Sequence, residues 1–479
     1  MSTEQMNSAD AAWLHMDGPT NLMVVDSVLW FDEPIDSRRI AEVVRERLVE
    51  RFPRFRQRVV EPRLGLGLPS WEEDPGFDLD RHIHHLALAP PGDRTALQEL
   101  VGDLISVPLD HTKPLWDMYV VDGFGTGTAL VSRMHHCIAD GIALSRVLLS
   151  MTDDQPDAGI QPATETEAGY GHRGPGTLAG PLRVGTRLAE GALHEGFALL
   201  AHPRSQLRGL ASQTVAESRA LEKLLLTAPD RETVLRGKPG ARRRVTWSER
   251  IALDDVRAIA HASATTVNDV LVAAMTGALR RYLADRHSSV DELRAIIPVN
   301  LRPLEEPLPR ELGNRFGLVY LDLPIGLRSR RQRLEEVHRR MDAIKSSPEG
   351  ALAYDMLGLI GLTPAQVERR LIDVFSSKGT LVLTNVPGPR QPVYFAGQRV
   401  AGAVGWVPAA GGIGVGLSIL SYDGAVTVGL RADAGLVSDP QAIIDAFEHE
   451  LELIAHPRTR RRTTTRRRRD SKRDRRTGT

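Results

Sequence analysis

Cysteine is almost absent from this chain: 479 residues contain one, Cys137. A lone thiol cannot close an internal disulfide, so the fold rests on burial, and a reducing compartment suits it. Long apolar runs are missing too. The best candidate for a membrane span, Val404 to Leu420, is interrupted by several glycines and by Pro408. It reads as turns and short strands rather than a helix that crosses a bilayer. The opening MSTEQMNSADAAW has neither a basic stretch nor an apolar core, so no secretory signal is expected. No internal repeat is visible, which argues against a solenoid.

What is present is the balance of a water-exposed globular protein, with 42% hydrophobic and 25% charged residues. The length suits two domain cores rather than one. The formal net charge of zero hides an asymmetry. Residues 457–479 hold twelve Arg and Lys against two Asp, a local +10, so the rest of the chain carries −10. Such a block reads as a disordered tail, either simply solvated or drawn to anionic lipid. It has no aromatic residue to stack on bases, so nucleic acid is not an expected partner.

Strand and helix signals alternate through the first half. Leu22 to Phe31 is a strand-like apolar run. A helix is predicted from Ser37 to about Arg51, with Ile40, Val43, Val44, Leu48 and Phe52 on one stripe. A second runs from Asp93 to Ile105, strands follow at Met118–Asp122 and Thr128–His136, and a third helix spans Gly141 to Met151. Residues 152–180 are rich in Pro, Gly, Thr and acids and read as a linker. Amphipathic stretches at Leu182–Leu200 and Leu207–Leu226 come next, and alternation resumes from Arg243 to Ile454. The order is mixed, which predicts an α/β protein of α+β layered type rather than a doubly wound sheet.

The segment that carries chemistry is MHHCIADG, Met134 to Gly141. A strand leads into it and an apolar helix leaves it. Adjacent strand residues face opposite sides, so His135 and His136 cannot both enter one cleft. Asp140 stands where a helix N-cap belongs, and Gly141 eases the entry into the helix. Imidazole is the side chain best matched to taking a proton from an alcohol near neutral pH. His136 and His135 are therefore the catalytic candidates, with Asp140 and Gly141 as support.

HHCIADG matches the HHxxxDG signature of CoA-dependent acyltransferases. Further stretches, in order, resemble the bacterial wax ester synthase/diacylglycerol acyltransferase family. They are SADAAWL from Ser8, PLWD from Pro114, VNDVL from Val267 and GALR from Gly277. PVNLR from Pro298, GNRFG from Gly313, NVPGP from Asn385 and SYDG from Ser421 complete the series. The resemblance runs from about residue 6 to 454. It implies two chloramphenicol-acetyltransferase-like domains with mixed sheets and an active-site tunnel between them. The domains would be 1–152, carrying HHxxxDG, and 241–456, joined by a linker with amphipathic helices at 153–240 and followed by the tail.

The resemblance further implies that His136 faces the tunnel as general base and that Asp140 holds the local backbone through an ion pair. Arg302 is its candidate partner. Asn268 and Asp269 would open a helix lining the site from the second domain, on the side of the developing oxyanion. The implied reaction moves a fatty acyl group from acyl-CoA to diacylglycerol or a fatty alcohol, with no cofactor and no metal. The implied location is cytoplasmic, peripheral to a membrane or lipid droplet.

Two other functions share these features: a condensation-type acyltransferase that takes carrier-protein thioesters, and a non-catalytic lipid-binding paralogue. Blander roles suit several residues. Cys137 reads as packing rather than as a nucleophile, because its side chain should face away from His136. His82, His84 and His85 lack the partners of a zinc site, and Trp116 reads as a packing anchor.

Overall fold

A computed structural model describes residues 3–62, 67–156, 158–159, 220, 222–224, 226–303, 306–363 and 365–456. The amphipathic stretch Leu182–Leu200, nearly all of Leu207–Leu226, most of the predicted linker and the basic tail fall outside the described residues.

The first half runs through β1 (Thr3–Gln5), α1 (Ser8–His15), β2 (Val24–Phe31), α2 (Ser37–Val44), β3 (Gln57–Val60) and β4 (Ser70–Glu73). It continues with β5 (Ile83–Ala87), α3 (Arg94–Leu104), β6 (Trp116–Phe124), β7 (Gly127–His135) and α4 (Gly141–Ser150). The second half begins with β8 (Arg243–Trp247), β9 (Ile251–Ala252), α5 (Leu253–Ser263), α6 (Val267–Asp285), β10 (Leu293–Asn300) and β11 (Phe316–Leu323). Helices α7 (Arg330–Lys345), α8 (Glu349–Ile360) and α9 (Ala365–Ser376) follow. The remaining elements are β12 (Leu381–Pro387), β13 (Tyr394–Phe395), β14 (Gln398–Arg399), β15 (Gly402–Trp406), β16 (Val415–Tyr422), β17 (Ala425–Asp433) and α10 (Gln441–Ala455).

Two mixed sheets dominate. The first has the order β15-β2-β7-β6-β5, antiparallel except for β5 and β6. Its central strand, β7, is buried at every position because neighbours cover both edges and both faces. The second has the order β11-β10-β12-β16-β17-β8, with β9 also on β17; β12 runs parallel to β10 and β16. The order of the elements predicted a layered α+β type, and the family resemblance implied the mixed sheets seen here.

The halves interleave. Strand β15 belongs by sequence to the second half but pairs with β2 of the first sheet. A Cβ on Gly402 would fall 2.1 Å from the Trp30 ring, so the crossing strand needs glycine there. Phe316, Leu371, Ile372 and Tyr422 likewise belong to the core beneath the first sheet. Helix α6 is the axis of the second core and is apolar on nearly all sides, as a fully enclosed helix must be. At Gly277 a Cβ would meet Arg333 Nη2 at 2.5 Å and Glu450 Oε2 at 2.6 Å, so a buried ion pair fills the place of a side chain.

The predicted helix from Ser37 breaks earlier than its stripe suggested. Regular turns stop at Val44, and Arg45–Val49 continues as a π-helical turn before Pro53. The wider turn still buries all five stripe residues.

Candidate active site

Strand β7 delivers the two histidines to different surroundings. His135 ends the strand, its amide bonded to Leu115 O at 2.9 Å, while the His136 amide bonds to Met23 O at 2.7 Å. The His135 ring is fully buried, and its Nδ1 accepts the Cys137 N–H at 3.1 Å. That assigns the proton to Nε2, which faces Asp17 Oδ1 at 3.7 Å. His135 takes no part in lining the large cavity; His136 does.

The His136 ring lies between two aromatic side chains. It stacks on Trp13 with centroids 4.2 Å apart and planes 21° apart, and meets Phe316 at 5.4 Å. Its pKa is pushed down to about 3, chiefly by burial; its own carbonyl and the Asn314 amide oppose that only in part. The imidazole is therefore neutral throughout the physiological range. Nδ1 is buried without a hydrogen-bond partner among the described residues; in the tautomer that protonates it, Nε2 keeps the lone pair.

The cavity is about 250 Å³ in volume and lies between the halves. Met134 and Leu148 of the first half face Ile296, Met356, Ile372 and Val382 of the second across it. The walls are mainly aliphatic and aromatic, and suit hydrocarbon.

The loop after β7 is held by residues far away in sequence. Asp140 caps α4, its Oδ1 accepting the Ala143 amide at 2.8 Å, while Oδ2 accepts the Arg315 amide at 3.0 Å. Gly313 bonds to Ile138 O at 3.1 Å, and Asn314 Nδ2 donates to His136 O at 2.8 Å. The same Nδ2 donates to Asp10 Oδ1 at 2.7 Å, which also accepts the Asn314 backbone amide at 2.9 Å. Burial raises the Asp10 carboxyl to about 7, against the pull of Asn314 and Asn7. SADAAWL and GNRFG thus meet on the HHxxxDG loop.

Several expectations need correction. No acid–base ion pair holds Asp140 among the described residues; two backbone amides do. Arg302 instead reaches Gly313 O at 3.4 Å. Asn268 and Asp269 do sit in the first turn of α6, but neither lines the cavity. Asp269 is spent on a capping box with Thr266 and on His338 Nδ1 at 2.7 Å. Asn268 reaches the site indirectly, accepting from Asn385 Nδ2 at 2.9 Å; Asn385 lines the cavity. Gly141 lies on the cavity wall.

Other side chains pack. Cys137 is fully buried, and burial pushes its thiol well above the usual range, which removes it as a nucleophile at neutral pH. Trp116 is buried and bonds through Nε1 to Phe55 O at 2.8 Å. His82 stacks on Trp116 and bonds to its carbonyl, while His84 pairs with Asp117 at 3.0 Å. Asp17, His111 and His135 bring one ligand atom each within 4.8 Å of one another. A metal on His135 Nε2 would require the proton on Nδ1, where the Cys137 amide already points. Asp17 fits better as a brace. Burial alone would raise its carboxyl, yet His111, His135 and the Met23 amide hold it well below the usual range.

Comparison with known proteins decides the family. The model of the wax ester synthase/diacylglycerol acyltransferase catalytic domain matches residues 6–271, and that of the WS/DGAT C-terminal domain matches 312–455. The chain belongs to the wax ester synthase/diacylglycerol acyltransferase family. It is an acyltransferase of that family. A Mycobacterium tuberculosis protein described as "probable diacylglycerol O-acyltransferase tgs1" is 28% identical over 422 residues, covering 86% of each chain.

Among solved structures, the wax ester synthase/diacylglycerol acyltransferase from Marinobacter aquaeolei VT8 shares the fold, with TM-score 0.68 at 23% identity over 94% of this chain and 98% of that one. The first condensation domain of the calcium-dependent antibiotic synthetase has TM-score 0.58 at 14% identity, covering 95% and 96%. Both likenesses concern the fold. Within the family frame, Trp13, Asp10, Asn314, Phe316 and Asn385 are the site residues to which sequence reasoning gave no role. Their only signal was membership of the ordered motif series.

Proposed function

We propose that this protein transfers a fatty acyl group from acyl-CoA to the hydroxyl of a lipid alcohol, diacylglycerol or a fatty alcohol, with His136 as general base. The observation that carries this reading is a neutral imidazole set in the wall of an apolar cavity between the halves. Nε2 takes the hydroxyl proton as the alcohol oxygen attacks the thioester carbonyl carbon. The tetrahedral intermediate collapses with loss of the C–S bond, and the imidazolium returns the proton to the leaving thiolate. The products are an ester and free CoA.

Imidazolium is costly in this dry pocket. The Trp13 face, 4.2 Å away, offers a cation–π contact as the charge appears. Asn385, fixed by Asn268, is the proposed donor to the oxyanion. Neither step uses Asp140 as a relay, since both its oxygens serve backbone amides.

The test is purified protein with labelled acyl-CoA and a panel of hexadecanol and diacylglycerols. Ester should form, and His136→Ala should lose about 10²- to 10⁴-fold of turnover. A fully active His136→Ala refutes the assignment; acyl transfer only to carrier proteins, or lipid binding without turnover, refutes the function.

Lipid acceptors reside in membranes and droplets, so this reading also places the protein at such a surface. Among the described residues no helix is long and apolar enough to cross a membrane. The +10 segment 457–479 supports peripheral contact, at roughly 1 kcal/mol per basic residue near an anionic surface before salt screening. A chain ending at His456 should lose salt-sensitive co-sedimentation with anionic vesicles. Equal binding by both chains would end that part of the reading.

A further inference from the structure

Behind Asn300, which lines the cavity, lies the buried guanidinium of Arg302, with no counter-ion among the described residues. Arg302 is 9% exposed, yet no carboxylate lies within 4.0 Å of it among the described residues. Its one side-chain contact is the long 3.4 Å bond to Gly313 O. Guanidinium cannot escape by losing its proton, so an enclosed, unpaired one is costly unless negative charge arrives with a ligand.

The neighbours add to the field. Arg315, whose backbone amide holds Asp140, presents a half-exposed guanidinium paired only weakly with Glu306 at 3.7 Å. Burial raises the Tyr354 phenol, Asp10 and Asp355 raise it further, and Arg315 and Arg302 pull it back, so both guanidiniums lie near this hydroxyl together with two carboxyl groups. The Tyr354 hydroxyl bonds there to Asn314 O at 3.3 Å. Arg146 closes the group from α4, bonding to Glu306 O at 2.7 Å. Asn300 ties this cluster to the cavity wall: its amide grips Arg302 O at 2.6 Å, its oxygen accepts the Arg302 N–H at 3.1 Å, and it lines the cavity.

We infer that Arg302 and Arg315 form a phosphate-binding site at the cavity rim that holds the nucleotide end of the CoA thioester. This rests on the proposed acyl-CoA donor. The chemistry is consistent with the geometry. The thioester must lie beside His136, deep in an apolar cavity, while the phosphates must stay at the entrance where cations and water meet them. A planar guanidinium matches two phosphate oxygens at once. Asn314 and Arg315 also hold the HHxxxDG loop by hydrogen bonds, so the segment that would grip phosphate is the segment that positions His136.

The experiment measures free CoA, 3′-dephospho-CoA and pantetheine binding by calorimetry on the full chain, for wild type, Arg302→Gln and Arg315→Gln. CoA binding should weaken about tenfold for each variant and fall with salt, while pantetheine should bind weakly to all three. In turnover, the preference for acyl-CoA over acyl-pantetheine should shrink by a similar factor. Arg302→Lys should restore part of it, as a point charge without the fork. Should Arg302→Gln melt early, Arg315→Gln, with its half-exposed side chain, carries the test.

Unchanged CoA affinity in both variants overturns the inference, and so does an equal fall for CoA and pantetheine. Anionic vesicles form the last arm: variants that lose vesicle binding but keep CoA binding would assign the phosphate to a lipid headgroup, which also overturns it. A wild type that binds CoA through these arginines yet esterifies nothing would refute the proposed function and leave this site standing.

Discussion

Replacing Asn314 with Ala tests the idea that the GNRFG loop positions His136. Its Nδ2 serves two acceptors, Asp10 Oδ1 at 2.7 Å and His136 O at 2.8 Å, and the residue is 3% exposed. Alanine removes both bonds. Asp10 keeps the backbone amide of residue 314 and the Asn7 amide, so its loss is partial. The His136 carbonyl has no second partner among the described hydrogen bonds and is left buried. Two lost bonds at about 1 kcal/mol each, together with that orphaned carbonyl, total about 2–4 kcal/mol. The backbone that carries the imidazole is then free to shift. A misplacement near 1 Å costs about 10²-fold in a well-aligned reaction, so kcat should fall roughly 10- to 100-fold while acyl-CoA KM changes little. Urea unfolding and steady-state turnover on the same preparation give both numbers. A destabilised variant with wild-type kcat would show that the clamp serves folding alone. Wild-type values for both would refute the positioning argument.

Three further predictions follow from the same geometry. His136 has a folded pKa of about 3, below its unfolded value of 6.5, so the stability tied to its neutral form is present above pH 6.5 and lost as pH falls toward 3. The loss is about 2 kcal/mol by pH 5, and His136→Gln should flatten that part of a urea-midpoint pH profile. NMR of the His136 ring should show it neutral at pH 5; a titration near 6.5 would contradict the burial argument. Asp140→Ala should cost about 0.5–2 kcal/mol for the lost cap and more for the Arg315 amide, whereas Asp140→Asn should be milder because an amide oxygen can still cap. Equal losses for Ala and Asn, read from melting curves, would point back to a charge. Trp13→Leu removes the face that steadies imidazolium and should lower kcat about 2- to 30-fold, equivalent to the ~0.5–2 kcal/mol of a cation–π contact. Wild-type kcat in that variant would remove Trp13 from the mechanism.

Local signals were legible where they depended on neighbours in the chain. The strand before HHxxxDG, the cap at Asp140 and the helix from Gly141 follow from period and capping chemistry, and they recur at β7 and α4. The mixed order of elements pointed to a layered α+β protein, and the resemblance implied mixed sheets, which the structure displays. Partners across the fold were not legible. The family resemblance implied an ion pair for Asp140, with Arg302 as the candidate partner, and sequence does not display backbone N–H groups in need of an acceptor. The fold brings the Arg315 amide, not the Arg302 guanidinium, to that carboxylate. In the same way the resemblance implied that Asp269 lines the site, yet Thr266 three residues earlier completes a capping box that uses it. That box is readable as T-x-x-D, and weighing it would have moved attention from Asp269 to Asn268.

The deepest gap between sequence and site is one of distance along the chain. Asp10 and Asn314 meet across 304 residues, and Trp13 and Phe316 reach one imidazole from opposite halves. No periodicity encodes such a meeting. It arises because β15 leaves the second half to extend the first sheet, and because Leu371 and Ile372 of α9 bury themselves in the first core. Interleaving of this kind makes the halves interdependent. The loop that carries His136 is hydrogen-bonded to residues 313–315, so it is held in place only when the second half is folded against the first. Residues 1–152 alone would lack β15, Asn314 and Phe316, and with them a neighbour of β2, a partner of the His136 carbonyl and part of the aromatic wall. A histidine motif readable within eight residues thus depends on contacts from nearly the whole chain.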